Sequence, residues 1–242
     1  MMITKSEENE IRDYLLSKKL PIDILLEVND HFIAQIKTLE FEKCMKFEEA
    51  FKTVKENWRQ DLTLSWAGGM DITDSNLLMR KIKKNIQRAI LISTFKLSLI
   101  SLLVAVFGNL VLSDIAFKYF LIVLLSVIFS VPLINLIVDF KKFWLPRKYQ
   151  DHILTLHQGP PFVIGSVLIF VAQYLQRTIN HPEYFRIFNF SALNKIEFWR
   201  VILIYFGMFS LFLVAFYILI SQIKFLKQLK IVRPFLKYLK TS

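Results

Sequence analysis

Between Val201 and Ile220 the chain runs for twenty residues without a charge, and only Tyr205, Gly207, Ser210 and Tyr217 depart from apolar side chains. As a helix such a run is about 30 Å long, the thickness of the hydrocarbon core of a bilayer. Tyr119 to Val138 is a second charge-free run of twenty. Its Pro132 should bend the helix, leaving a carbonyl for Ser130 or a neighbouring helix to satisfy. A third run, Ala89 to Leu112, is interrupted only by Lys96, which can extend its ammonium to the interface. Pro160 to Gln176 is the short one, 17 residues that include Gln173. With 54% hydrophobic residues gathered this way, the chain is neither a plain soluble globule nor disordered. Continuous apolar runs and only 6 Gly also disfavour a membrane β-barrel.

The net charge of +11 invites a nucleic-acid reading until it is divided. Residues 1–79 carry 10 Lys and Arg against 15 Asp and Glu, whereas residues 80–242 carry 21 against 5. The positive charge therefore clusters beside the apolar runs, where it holds membrane helices at the cytoplasmic face, and not on a soluble surface that could meet phosphates. No nucleic-acid partner is expected. With four spans, fifteen basic residues fall on one side and five on the other. Omitting the span at 160–176 would send the cationic tail across the membrane. The expected architecture is all-α and polytopic, with spans at about 89–112, 119–138, 160–176 and 201–220. Both termini are expected in the cytoplasm, and the membrane is the inner, plasma membrane. Residues 1–64 should form a cytoplasmic three-helix domain, residues 65–79 a linker, residues 80–220 the transmembrane region, and residues 221–242 a basic tail.

The amino-terminal segment has no secretory signal, since Glu7, Glu8, Glu10 and Asp13 interrupt its start. Thr4 followed by Glu7 fits a capping box, and Ile11, Tyr14 and Leu15 then recur at helical spacing. After Leu20-Pro21, a second helix carries Leu25, Val28, Phe32, Ile36 and Leu39 on one face. A third places Phe47, Ala50, Phe51, Val54, Trp58 and Leu62 in one stripe. About 60 residues is marginal for an independent core, so help from a membrane or a partner is expected. Gly68-Gly69, Asp71, Thr73, Asp74 and Ser75 make a turn-rich linker, in which Asp74 or Ser75 can cap the next helix.

Leu20-Pro21 after an opening helix, a polar helix from Glu27 through His31-Phe32, and Glu48-Glu49-Ala50-Phe51 together resemble the HAAS-type domains of bacterial membrane proteins. The resemblance covers the first quarter of the chain. It implies a cytoplasmic regulatory or interaction module placed before transmembrane helices, and it brings no catalytic residue with it.

Residues able to carry chemistry are sparse. His152 and His157, with Asp151 adjacent, lie five apart and so on different helical faces, unlike the i, i+4 pair that a helix offers zinc. His31 beside Phe32 fits a packing face, and Cys44 between Lys43 and Lys46 has no resolving cysteine. No phosphate loop or nucleophile elbow occurs. We expect no catalytic, cofactor-binding or metal-binding residues, and no cofactor. Asn109, Asn135 and Gln173 suit helix-to-helix hydrogen bonds better than an ion path.

The tail is the most explicit segment. Lys227, Lys230, Arg233, Lys237 and Lys240 share one broad helical face and Phe225, Leu229, Val232, Phe235, Leu236 and Leu239 another, a separation that Ile223, Leu226, Ile231 and Lys224 break. Pro234 should kink the helix. Such a segment can lie in the interface with those five cations on anionic headgroups. Alternatively, the cations serve only to orient the chain. Three functions fit this layout. The favoured one is a non-enzymatic, membrane-anchored regulatory or interaction protein whose acidic helices bind a cytoplasmic protein, with homo-oligomers possible. A transporter or channel component and a membrane enzyme acting on lipid are the others.

Overall fold

A computed structural model describes residues 3–65, 75–158, 164–180 and 195–239. Among them the chain is almost entirely helical. It forms α1 (Lys5–Leu16), α2 (Ile22–Glu42), α3 (Phe47–Asn57), α4 (Arg59–Leu62), α5 (Leu77–Val111), α6 (Asp114–Val138), α7 (Phe140–Trp144), α8 (Ile164–Asn180) and α9 (Lys195–Val232). Strands β1 (Leu64–Ser65) and β2 (Ser75–Asn76) pair antiparallel, Leu64 opposite Asn76. Among the described residues, three helices are long and apolar enough to cross a membrane, in segments Leu77–Val111, Ile115–Val138 and Val201–Tyr238. The chain divides into two compact units. One gathers residues 1–87, 144–158 and 225–242; the other gathers residues 88–143 and 159–224.

In the first unit, local signals act as the sequence suggests. Thr4 and Glu7 form the complete capping box, with the Thr4 amide donating to Glu7 Oε2 at 2.7 Å. Pro21 occupies the N-cap of α2, where its missing amide hydrogen costs nothing. Ile11, Leu15, Leu25, Val28, Phe32, Ile36, Ala50, Phe51, Val54 and Leu62 are buried, while Tyr14, Leu39, Phe47 and Trp58 pack at the margin. The stripe from Phe47 to Leu62 is not one helix: it breaks at Trp58, whose indole donates to Gln35 Oε1 at 3.1 Å. The expected cap of the next helix, Asp74 or Ser75, is instead Asn76. Its Oδ1 accepts the Met79 amide at 2.9 Å, because α5 begins at Leu77, directly after β2. Asp74, Gly68 and Gly69 lie outside the described residues.

The same core takes in residues far along the chain: Met79, Tyr149, Leu154, Val232, Leu236 and Leu239. The three amino-terminal helices therefore do not close their core alone. The loop before α8 and the tail supply the missing apolar cover that so short a segment lacks. The unit as a whole carries 21 Lys and Arg against 16 Asp and Glu, so the acidic helices belong to a net basic body.

The second unit is built the other way out. Phe117, Leu121, Leu125 and Phe129 of α6 meet Val171 of α8 and Met208, Phe212, Ala215 and Ile218 of α9 in a narrow core. Large apolar side chains such as Phe95, Phe107, Val123 and Phe206 stand exposed around it. That pattern suits hydrocarbon as the solvent, where polar groups must find partners inside. Asn109 donates to the Tyr205 hydroxyl at 2.8 Å, and the Tyr174 hydroxyl donates to the Ile204 carbonyl at 2.8 Å. Pro132 lies inside α6; near it Ser130 turns back to the Val127 carbonyl, while Gln222 Nε2 donates to the Pro132 carbonyl at 3.0 Å. Asn135 is half-buried and Gln173 exposed.

Candidate functional site

The feature of the first unit that does most to shape a site is the seam between the start of α2 and residues 153–158. The Ile22 amide donates to the Ile153 carbonyl at 2.9 Å, and the Asp23 amide to the Leu154 carbonyl at 3.4 Å. Asp23 answers with its carboxylate, accepting the Ile24 amide at 3.0 Å and the Leu156 amide. These backbone bonds secure a loop that has no regular structure of its own. The loop also braces itself: the Leu154 amide donates to Gln158 Oε1 at 3.0 Å, and the His157 amide to Thr155 Oγ1 at 3.3 Å. Burial pushes the Asp23 carboxyl up to about 6, against the opposing pull of those amides, and the negative charge of Glu27 adds to the rise.

Beside this seam lies a cavity of about 840 Å³, lined by the α1–α2 turn, β1, the first three turns of α5 and residues 153–158. Lys19 reaches it from a turn whose φ of 54° is unusual for a side-chain-bearing residue. Arg80, Lys83, Lys84 and Gln87 come from α5, where three- and four-residue spacings share one face. The Arg80 guanidinium donates to the carbonyl and hydroxyl oxygens of Ser65, which holds it in place. Asn76, Thr155 and Gln158 add uncharged polar groups, and Pro21, Leu64, Met79, Ile153 and Leu156 add apolar surface. No carboxylate lines the cavity among the described residues.

The tail takes a different place from the one its periodicity suggests. Helix α9 ends at Val232, and a 3₁₀ turn over Arg233–Tyr238 replaces the kink expected at Pro234. The apolar face is covered by protein: Val232, Leu236 and Leu239 are in the first unit's core, and Phe225 and Leu229 are buried. Arg12 of α1 stacks over the Tyr238 ring, 4.4 Å from its centroid. Lys227, Lys230, Arg233 and Lys237 remain exposed, and Lys240 lies outside the described residues. Of the histidines, His157 is buried, His152 half-buried and His31 exposed beside Trp58. Among the described residues, no three His, Cys, Asp or Glu side chains converge as metal ligands. Cys44 is exposed, with a φ of 52°.

The cavity is not legible in the sequence because its cations come from segments about sixty residues apart. Arg80, Lys81, Lys83, Lys84 and Arg88 lie together before the first apolar run, where the sequence gives them the role of orienting the chain. Comparisons with protein families, with curated proteins and with solved structures find no match for this chain.

Proposed function

We propose that this chain is a non-enzymatic, membrane-anchored regulatory or interaction protein, with four spans and both ends in the cytoplasm of an inner membrane. The observation that carries the topology is the shared core of residues 1–87, 144–158 and 225–239. Segments that pack into one core lie on one side of a bilayer, so an even number of crossings separates each from the next. Helices α5 and α6 account for one pair. Helix α9 needs a partner, and α8, whose 17 residues extend about 25 Å, is the helix available to cross with it. The excess of cations in the first unit favours the cytoplasmic side.

The acidic helices α1–α3, with their resemblance to HAAS-type domains, are the proposed partner-binding part. Phe41 is 84% exposed between Glu40 and Glu42 at the end of α2, a side chain suited to anchoring a protein contact. The exposed tail cations would face anionic lipid headgroups.

Two measurements test this. A membrane-impermeant maleimide should modify the exposed Cys44 only after cells are opened, whereas Tyr184→Cys in a Cys44→Ser chain should be modified in intact cells. Modification of both positions from one side would leave an odd number of crossings and end the four-span reading. A photo-crosslinking residue at Phe41 should give one discrete adduct that reversal of Glu40 and Glu42 to Lys removes. Absence of any adduct would count against a protein partner at this surface.

A further inference from the structure

Four cations line one cavity together with uncharged polar and apolar groups, a setting that attracts an anion. We propose that the cavity beside the α2 seam binds a phosphate-bearing anion, supplied either by an anionic phospholipid headgroup or by a soluble phosphate compound. Lys19, Arg80, Lys83 and Lys84 provide the charge, arriving from two elements so that they surround the cavity. Arg80, braced by Ser65, contributes donors in a fixed orientation, and the lysines contribute compact positive charge on adaptable stems. The volume of about 840 Å³ is typical of a small-molecule site and leaves room for more than a phosphate group. Met79 and Leu156 offer the apolar surface that an acyl-glycerol or a ring system needs. Along α5, Lys84 comes only five residues before Ala89, where the apolar run begins, which suits a headgroup.

The ligand would touch the α1–α2 turn, α5 and residues 153–158 at once, so its binding should stabilise the seam by mass action. The test uses the full chain in nanodiscs of neutral phosphatidylcholine, with hydrogen exchange of residues 153–158 as the readout. One arm replaces part of the lipid with phosphatidic acid. The other keeps neutral lipid and adds inorganic pyrophosphate, against chloride at equal ionic strength. Slowed exchange in the first arm identifies a headgroup, and slowed exchange in the second a soluble phosphate. Replacing Lys83 and Lys84 together by Gln should weaken the effect by about 30-fold in concentration. Both lysines are exposed, so the fold should survive the change; Lys19→Gln, on a separate element, repeats the test should it not. Lys227→Gln with Lys230→Gln should leave the response intact. The proposal falls if neither arm slows exchange, if the cavity variants respond like the parent, or if only the tail variant abolishes the response.

Discussion

Replacing Asp23 by Asn should make the first unit more stable at neutral pH and remove part of its pH dependence. Asp23 lies in the first turn of α2, with its carboxylate on the amides of Ile24 and Leu156. Burial raises its folded-state value from 3.8 to about 6. A raised acid binds its proton more tightly in the folded chain, so the stabilisation is fully present below the unfolded value. It is lost as pH climbs through about 6. A shift of about two units corresponds to about 3 kcal/mol of stability at acid pH that is absent at pH 7. Asparagine keeps a carbonyl oxygen for one amide and needs no ionisation. The pull of the amides on the carboxylate is already contained in the value of about 6, so the gain at pH 7 is at most about 3 kcal/mol. Hydrogen exchange of α2 and of residues 153–158, measured on the full chain in detergent between pH 4 and 8 and corrected for intrinsic rates, reads this directly. The parent should lose protection between pH 4 and 7, and the Asn variant should lose less. Parallel pH profiles, or an Asn variant less protected at pH 7, would refute the assignment of the raised value to buried Asp23.

Phe32→Ala removes a fully buried ring that lies 5.4 Å from Trp58 and 6.0 Å from Tyr14 between centroids. The cost should be about 3–5 kcal/mol, seen as faster proteolysis of α1–α3 and also of the tail that shares their core. Cys44→Gly should stabilise the end of α2 by about 1 kcal/mol, since glycine adopts a φ of 52° without strain; thermal unfolding of the full chain checks the sign. Tyr205→Phe removes the hydroxyl that accepts from Asn109, and should cost only about 0.6 kcal/mol, measured by denaturant titration in micelles.

Much of the helical layout follows from local order. The Thr4–Glu7 box, Pro21 at a helix start and the core positions of α1–α3 depend on neighbours within one or two turns, so periodicity alone reveals them. The three long apolar helices are equally legible, because twenty uncharged apolar residues have few alternatives to a bilayer. The cavity was not legible: the sequence shows Arg80, Lys83 and Lys84 beside an apolar run, but not that Lys19 and Thr155 come to meet them.

Sequence by itself determined which faces are apolar; tertiary structure decided what covers them. The tail shows the difference most clearly. Its stripe of Val232, Leu236 and Leu239 satisfies the same periodicity whether it rests on lipid or on protein, and the structure buries it with Phe32 and Leu25 in one core. A hydrophobic face specifies removal from water and not the partner that achieves it, since burial is non-directional. The partner is set by contacts between residues some two hundred positions apart, and no local pattern encodes them.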